Sequence, residues 1–149
     1  MTFMTLEVDR TRWYLAGPMS GVPQFNIPKF DTTAAKLRGL GFTIISPAEL
    51  DSPLMRERAM QSMDGDLRKL EKDTNETWGE VLARDVKLVA DGIDGIIFME
   101  DWQKSRGARL EAFVGLLTGK KFAVWQTYTG AAFPVSATFV RQIVGENLP

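Results

Sequence analysis

The chain has 149 residues, of which 44% are hydrophobic and 25% charged, and this composition is typical of one globular domain with a sizeable core. A net charge of −1 and the absence of a membrane-length apolar run or a signal-like N-terminus predict a cytosolic protein that binds neither nucleic acid polymers nor membranes. Cysteine and histidine are absent, which excludes disulfides, thiolate nucleophiles, Ser-His-Asp triads and the usual metal sites, and favours carboxylate chemistry if this is an enzyme.

The predicted elements alternate between strands and helices. Strands are expected where short apolar runs are rich in β-branched or aromatic residues, and helices where apolar residues recur at i, i+3, i+4 and i+7. In chain order the prediction is strand 12–16, helix 26–40, strand 42–45, helix 54–63, helix 76–90, strand 95–99, helix to about 118, strand 122–125 and helix 136–144. This alternation predicts an α/β fold, a single-domain three-layer sandwich with a mostly parallel sheet, Rossmann-like or flavodoxin-like.

The remaining segments are predicted as connections. Residues 1–11 form a polar lead-in to a domain that spans residues 12–149. The charged stretch 64–75 is predicted as a solvated or mobile insertion, and residues 130–134 as a loop. Ser136 is expected to cap the last helix.

Two helices have apolar residues that are predicted to face the sheet. Asn26 is a plausible N-cap of the first helix, and its expected inner face is Phe30, Ala34, Leu37 and Leu40. The helix that ends near residue 118 has its apolar face at Leu110, Phe113, Val114 and Leu117.

The segment Ser105-Arg106-Gly107-Ala108-Arg109-Leu110-Glu111 lies between the third strand and that later helix. In open α/β sheets, ligands bind at the carboxyl ends of the strands, where this segment begins. Gly107 allows a ligand to approach the backbone, and Ser105 adds a hydroxyl before the helix. Glu111 is expected to be held ionised by the helix dipole, which suits a nucleophile. The alternative is an ordinary loop followed by a glutamate that only complements the dipole.

Other polar residues are predicted to converge on the same edge of the sheet. They are Tyr14, Gly17 to Gly21, Asp85, Asp101, Ser105 and Glu111. Each has a structural alternative: Tyr14 as a core aromatic, Asp85 as a surface helix charge, and Asp101 with Trp102 as the start of a loop. The glycine motifs of dinucleotide-binding folds, P-loop NTPases and serine hydrolases are absent.

The motif residues together resemble a known family. They are Tyr14-Leu15-Ala16-Gly17-Pro18-Met19-Ser20-Gly21 with Asn26 and Phe30, then Trp78 and Asp85, then Trp102 and Ser105-x-Gly107-Ala108-x-x-Glu111. This pattern is similar to that of a small domain family common in phages, within the nucleoside 2-deoxyribosyltransferase-like superfamily, which also contains nucleoside 5′-monophosphate N-glycosidases. The resemblance runs from about Trp13 to Trp125.

The resemblance implies cleavage of an N-glycosidic bond without a metal or an organic cofactor. Glu111 would attack the anomeric carbon, Tyr14 would orient it, and Asp85 would bind sugar hydroxyls or protonate the leaving base. The substrate-binding residues would be Gly17, Pro18, Met19, Ser20, Gly21, Asn26, Asp101, Trp102, Ser105 and Gly107. One hydrolase branch carries a phosphate-binding arginine at the position of Ser20, so Arg106, Arg109 or a neighbouring subunit would have to replace it.

The base, the sugar, the 5′-phosphate and the acceptor stay open at this point. Family members are usually homodimers or larger, and the same is expected here. A non-catalytic protein that senses or sequesters a nucleotide in the same pocket is the alternative function. A structural or assembly protein is the third possibility.

Overall fold

One five-stranded sheet organises the computed structural model, which describes residues 4–148. The strands are β1 (Arg12–Ala16), β2 (Thr43–Ile45), β3 (Gly95–Phe98), β4 (Lys121–Gln126) and β5 (Ala131–Val135). Their order is β2-β1-β3-β4-β5; β1 to β4 are parallel, and β5 is antiparallel to β4. The four predicted strands are confirmed to within one residue. Residues 1–3 of the predicted lead-in and residue 149 of the predicted domain lie outside the described residues.

Helices cover both faces of this sheet. They are α1 (Ile27–Gly39), α2 (Pro53–Met60), α3 (Leu67–Thr74), α4 (Trp78–Asp91), α5 (Arg106–Leu117) and α6 (Ala137–Glu146). Trp13 and Leu15 of β1 pack in one core with α1, α2 and α3, whereas Tyr14 and Ala16 pack in a second core with α4, α5 and α6. The fold is therefore the predicted three-layer α/β sandwich. Within residues 4–148, every helix is too short or too polar to cross a membrane.

Residues 130–134, which were expected to form a loop, contribute to β5 instead. Phe133 pairs with Val124 in the antiparallel ladder with β4. Gly130 and Pro134 both favour loops in a sequence, but proline is compatible with an edge strand, and β5 lies at the edge. The prediction of a loop is therefore wrong.

The charged stretch 64–75 is largely helical rather than a solvated insertion. The Asp66 carboxylate caps α3 by accepting a hydrogen bond from the Arg68 N–H at 2.9 Å. Leu67 packs against the core, and Leu70 is buried in it. Because leucines are the only apolar residues in Leu-Arg-Lys-Leu-Glu-Lys-Asp-Thr, the apolar periodicity is too sparse to predict this helix.

The face of α5 that packs on the sheet is the reverse of the predicted one. Leu110, Phe113 and Leu117 are exposed by 36, 48 and 70%, and Val114 is half-buried. The buried residues of α5 are Ala108, Glu111, Ala112 and Gly115. A Cβ atom at position 115 would lie 2.8 Å from the Ile96 side chain, so the helix runs too close to β3 for large residues. On α1 the predicted face is confirmed except for Leu40, which follows the helix and is 50% exposed.

Candidate active site

Tyr14 and Glu111 form a buried pair at the carboxyl edge of the sheet. The alternation of β1 turns Tyr14 toward α5, where the side chain is fully buried. The Ser105 hydroxyl caps α5 by accepting a hydrogen bond from the Ala108 N–H at 3.2 Å, which fixes the start of the helix that carries Glu111. The Tyr14 hydroxyl donates a hydrogen bond to Glu111 Oε2. This is the contact expected of an orienting partner.

Asp85 reaches the same place from α4. A capping box of Thr77 and Glu80 starts this helix, and Asp85 and Val89 lie one turn apart on its buried face. Asp85 is buried there, with 8% of the residue exposed. The interpretation of Asp85 as a surface charge is therefore wrong.

An ion-pair network that includes Arg84 and Asp51 holds Asp85 in place. Arg84 Nη2 lies 2.8 Å from Asp85 Oδ1, and Arg84 Nη1 lies 2.9 Å from Asp51 Oδ1. The Asp51 side chain is only 8% exposed. The sequence analysis missed both residues, because Asp51 has no motif around it and Arg84 carries no signal beyond its position next to Asp85.

Burial raises the pKa of the acidic groups of this site. Desolvation raises the pKa of Glu111 from 4.5 to about 8, the Tyr14 hydrogen bond opposes the rise, and the charge of Asp85 adds to it. Desolvation also raises the pKa of Asp85 and Asp51, against the effect of Arg84. The pKa of Tyr14 lies well above its usual value because of burial and the charge of Glu111.

The expectation that the helix dipole holds Glu111 ionised is therefore wrong. Glu111 is the sixth residue of α5, and the dipole effect falls off within the first turn. The side chain is 6% exposed, so desolvation dominates its titration.

A cavity called here the inner pocket opens beside Glu111. From the predicted set it is lined by Tyr14, Gly17, Met19, Ser20, Asp85, Ser105, Gly107 and Glu111. Its opposite wall comes from residues 47–82, which include Asp51, Met55, Leu67, Leu70, Glu71, Glu76, Trp78, Val81 and Leu82, and from Arg84. Apart from Asp85 and the motif residue Trp78, the sequence analysis assigned no residue to this second wall, because the wall depends on the packing of α2 and α3.

The glycine turn after β1 is shaped by close backbone contacts. A Cβ atom at Gly17 would lie 2.9 Å from Met99 Cβ, so only glycine fits against the end of β3. Asn26 precedes α1 with φ +61 and does not cap it through its side chain. Its Nδ2 donates to the Pro18 carbonyl oxygen at 2.9 Å, which ties the turn to the start of α1.

The same turn is clamped to the segment that leads into α3. The Gly21 N–H donates to the Gly65 carbonyl oxygen at 2.9 Å. Gly65 has φ +66, and a Cβ atom there would lie 2.3 Å from the Val22 oxygen. This backbone contact brings the two walls of the inner pocket together.

A second cavity, called here the outer groove, adjoins the inner pocket at Ser20, Leu67, Ser105 and Arg106. Pro18, Gly21, Asn26 and Asp101 from the predicted set also line it. The other charged residues of its lining are Lys29, Arg68, Lys104 and Arg106, which are basic, and Asp66 and Glu100, which are acidic.

Most of the basic side chains of the outer groove are unpaired. Lys104 lies 3.4 Å from Asp101, whereas Lys29, Arg68 and Arg106 form no side-chain ion pair within residues 4–148. Arg109 donates to the carbonyl oxygens of Ser105 and Asn147 and lines neither cavity.

Trp102 is the one predicted site residue that lines neither cavity. It is buried and stacks on Phe98 with the ring centroids 4.0 Å apart, so it belongs to the core. Over the described part of the chain, no group of three or more acidic residues is arranged to bind a metal ion.

The comparisons with known proteins give a family but no activity. No curated protein matches the chain significantly. The model of DUF4406, a domain of unknown function, matches residues 11–124, a range that includes Tyr14, Asp85 and Glu111. The chain therefore belongs to the DUF4406 family.

Proposed function

We propose that the protein cleaves the N-glycosidic bond of a nucleotide, with Glu111 as the nucleophile. The buried hydrogen bond between Tyr14 and Glu111 at the floor of the inner pocket is the observation that carries this proposal. The hydrogen bond from Tyr14 fixes the orientation of the Glu111 carboxyl group, and Asp85 supplies a second carboxyl group in the same pocket. Retaining glycosidases use two carboxyl groups that flank the bond they cleave, and this cavity has two such groups.

The proton that Glu111 carries at neutral pH must leave before the carboxylate can attack. Glu111 enters the reaction protonated at neutral pH, and its proton passes by way of Asp85 to the nitrogen of the leaving base. The freed carboxylate bonds to the anomeric carbon as the carbon–nitrogen bond breaks. Water, or a second base, then bonds to that carbon, the ester bond breaks, and the proton of the attacking group returns to Glu111.

The outer groove supports a substrate that carries phosphate. Lys29, Arg68 and Arg106 come from separate helices and face one cavity that joins the inner pocket at Ser105. The first turn of α5 adds backbone N–H groups and the positive end of its dipole. Arg106 thus takes the place of the arginine that the resemblance leads one to expect at Ser20, and Arg109 does not.

Glu111→Gln tests this function in an incubation with nucleoside 5′-monophosphates in which free bases are measured by mass spectrometry. We expect base release to fall by roughly 10³-fold or more, since the amide cannot form the glycosyl ester. Glu57→Gln is the matched control, because Glu57 is an exposed residue of α2 that lines neither cavity. Undiminished base release by the Glu111 variant would contradict the proposal.

Nucleotide binding without chemistry is the second candidate function, and the raised pKa of Glu111 favours it. A carboxyl group with a pKa of about 8 is mostly neutral at pH 7 and can act as a plain hydrogen-bonding group. In that case the wild-type protein binds nucleotides without releasing a base, and Glu111→Gln binds them equally well.

We also propose that the protein associates with a second copy of itself. The exposed leucines and phenylalanine of α5, Leu110, Phe113 and Leu117, form an apolar strip on the side of the helix away from the sheet. Sedimentation should give a dimer or larger species, and Leu117→Lys should yield a monomer.

A further inference from the structure

Trp78 is exposed, unlike the other three tryptophans. Trp13, Trp102 and Trp125 are 2, 5 and 2% exposed, whereas Trp78 is 37% exposed and lines the inner pocket. It is the first residue of α4, where the capping box of Thr77 and Glu80 already supplies hydrogen-bond partners at the helix start. The large ring of Trp78 therefore contributes neither to the core nor to the cap.

The surroundings of Trp78 combine apolar surface with hydrogen-bond acceptors. Met55, Leu70 and Leu82 line the same cavity. Glu71 and Glu76 also line it, and each uses one oxygen within the protein: Glu71 Oε1 accepts from the Trp78 N–H at 2.7 Å, and Glu76 Oε2 accepts from the Ser52 hydroxyl at 2.7 Å.

The second oxygen of each of these glutamates has no hydrogen-bond partner among residues 4–148. A flat aromatic group placed against Trp78 would therefore meet acceptors at its edge.

We propose that Trp78 stacks on the base of the substrate and that Glu71 and Glu76 select bases with an exocyclic amino group. This inference rests on the proposed function, because it takes the inner pocket as a nucleotide site. The sugar then lies at Glu111, the phosphate in the outer groove, and the base against the wall formed by α2, α3 and α4. Amino-bearing bases offer the N–H donors that these carboxylates accept, whereas a carbonyl at the same position would face them with an acceptor.

The test is a fluorescence titration in the Glu111→Gln protein, which removes turnover. The probes are AMP and CMP, compared with IMP and UMP, which carry a carbonyl in place of the same amino group. We expect the amino-bearing nucleotides to quench the emission of the exposed tryptophan and to bind at least fivefold more tightly than the others. With Trp78→Phe the quenching should vanish while most of the affinity stays, and with Trp78→Leu the affinity should fall roughly 5- to 100-fold, as loss of a stacking ring does.

Two controls separate the possible outcomes. Phe139→Leu changes another exposed aromatic, on α6 and outside both cavities, and should leave binding unchanged. Ribose 5-phosphate has no base, so its binding should not respond to any change at Trp78. Nucleotide affinity that is unchanged by Trp78→Leu, or no preference for amino-bearing bases, overturns this inference even if Glu111-dependent base release is found. Absence of binding by every nucleotide overturns the proposed function as well.

Discussion

One side of the inner pocket is formed by the carboxyl ends of parallel strands, and the other by helices that lie outside the sheet. On the strand side, the Met99 N–H donates to the Ala16 carbonyl oxygen at 2.8 Å, which continues the ladder between β1 and β3 up to the glycine turn. On the helix side, α2 is attached mainly by side chains: Arg56 pairs with Asp31 of α1 and donates to the Ala48 carbonyl oxygen at 2.9 Å.

The two sides of the pocket therefore differ in how easily they open. A backbone ladder forms and breaks cooperatively, whereas side-chain attachments can be lost one at a time, so the helix side has the lower cost of local opening. Tyr14 and Glu111, the proposed orienting residue and nucleophile, stand on the strand side, where geometry is fixed. Asp85, the proposed proton carrier, comes from α4 on the other side. The residues proposed to select the base stand on the side that can adapt.

Glu111→Gln has the largest expected effect on the strand side. Between pH 4.5 and about 8, folded protein retains a proton on Glu111 that the unfolded chain has released. The free energy of unfolding of the wild type therefore falls as the pH rises through this window and falls no further above it. The variant has no proton to lose, so its stability relative to the wild type should rise by roughly 3–5 kcal/mol from pH 4.5 to above pH 8.

Urea denaturation at several pH values measures this difference. Glu57→Gln, on the surface of α2, is the control for the same substitution outside the site. A difference that does not change with pH for the Glu111 variant would mean that the Glu111 carboxyl group is not desolvated.

Gly65→Ala tests the contact between the two sides. The new methyl group would lie 2.3 Å from the Val22 oxygen at φ +66, so the clamp to Gly21 should open. We expect a loss of about 2–3 kcal/mol, from both the clash and the left-handed backbone. Hydrogen exchange should report faster exchange in residues 61–75 than in β1.

Gly119→Ala is the control for backbone strain alone. Gly119 has φ +69 but nothing within 4 Å of its Cβ position, so its replacement should cost about 1 kcal/mol. Equal losses of unfolding free energy in Gly65→Ala and Gly119→Ala would show that the contact between Gly21 and Gly65 adds nothing to stability.

Arg84→Met tests the ion pairs within the helix side, because Arg84 binds Asp51 and Asp85 together. Removing the cation leaves two mostly buried carboxylates, and we expect a loss of about 2 kcal/mol at pH 7. Since burial raises the pKa of both groups, the loss should shrink as acid protonates them. Arg38→Met, which breaks a half-exposed pair with Glu49, should cost under about 1 kcal/mol. If Arg84→Met and Arg38→Met lose similar free energy of unfolding in chemical denaturation at pH 7, burial does not set the contribution of these ion pairs to stability.

The strand side could be predicted from the sequence because its signals are local. A β-prone run followed by glycines predicts the strand that carries Tyr14. A strand followed by an N-capped helix predicts the positions of Ser105 and Glu111. Parallel pairing then brings these ends together without further information. The burial of Glu111 could not be predicted, because the large apolar residues of α5 favour the opposite face.

On the helix side α2 and α4 could be predicted, but most of the pocket lining could not, because α3 carries a sparse apolar pattern and these helices meet only in the fold. Leu70 is one of two leucines in a charged stretch, and Asp51 precedes a helix with no motif. In the sequence, Arg68 cannot be told from an ordinary surface arginine. Only the packing of α3 places it at the outer groove. These residues acquire a role from tertiary packing, which a periodicity analysis does not contain.

Gly107→Ala has the smallest expected effect on stability and the clearest effect on function. Gly107 is the second residue of α5, and its Cβ position has only the Ser105 hydroxyl oxygen nearby, at 4.0 Å. Alanine should therefore raise the free energy of unfolding by about 0.5–1 kcal/mol, through helix propensity. Because the methyl group would stand on the lining of the inner pocket, nucleotide affinity should fall roughly tenfold.

Gly79→Ala is a closely matched control for this variant. Gly79 is the second residue of α4, its Cβ position lies 3.9 Å from the Thr77 hydroxyl oxygen, and it lines neither cavity. Both variants should gain stability in thermal denaturation, but only Gly107→Ala should lose nucleotide affinity. If both bind nucleotides as the wild type does, the backbone at the start of α5 does not approach the ligand, and the phosphate must be held by the side chains of the outer groove alone.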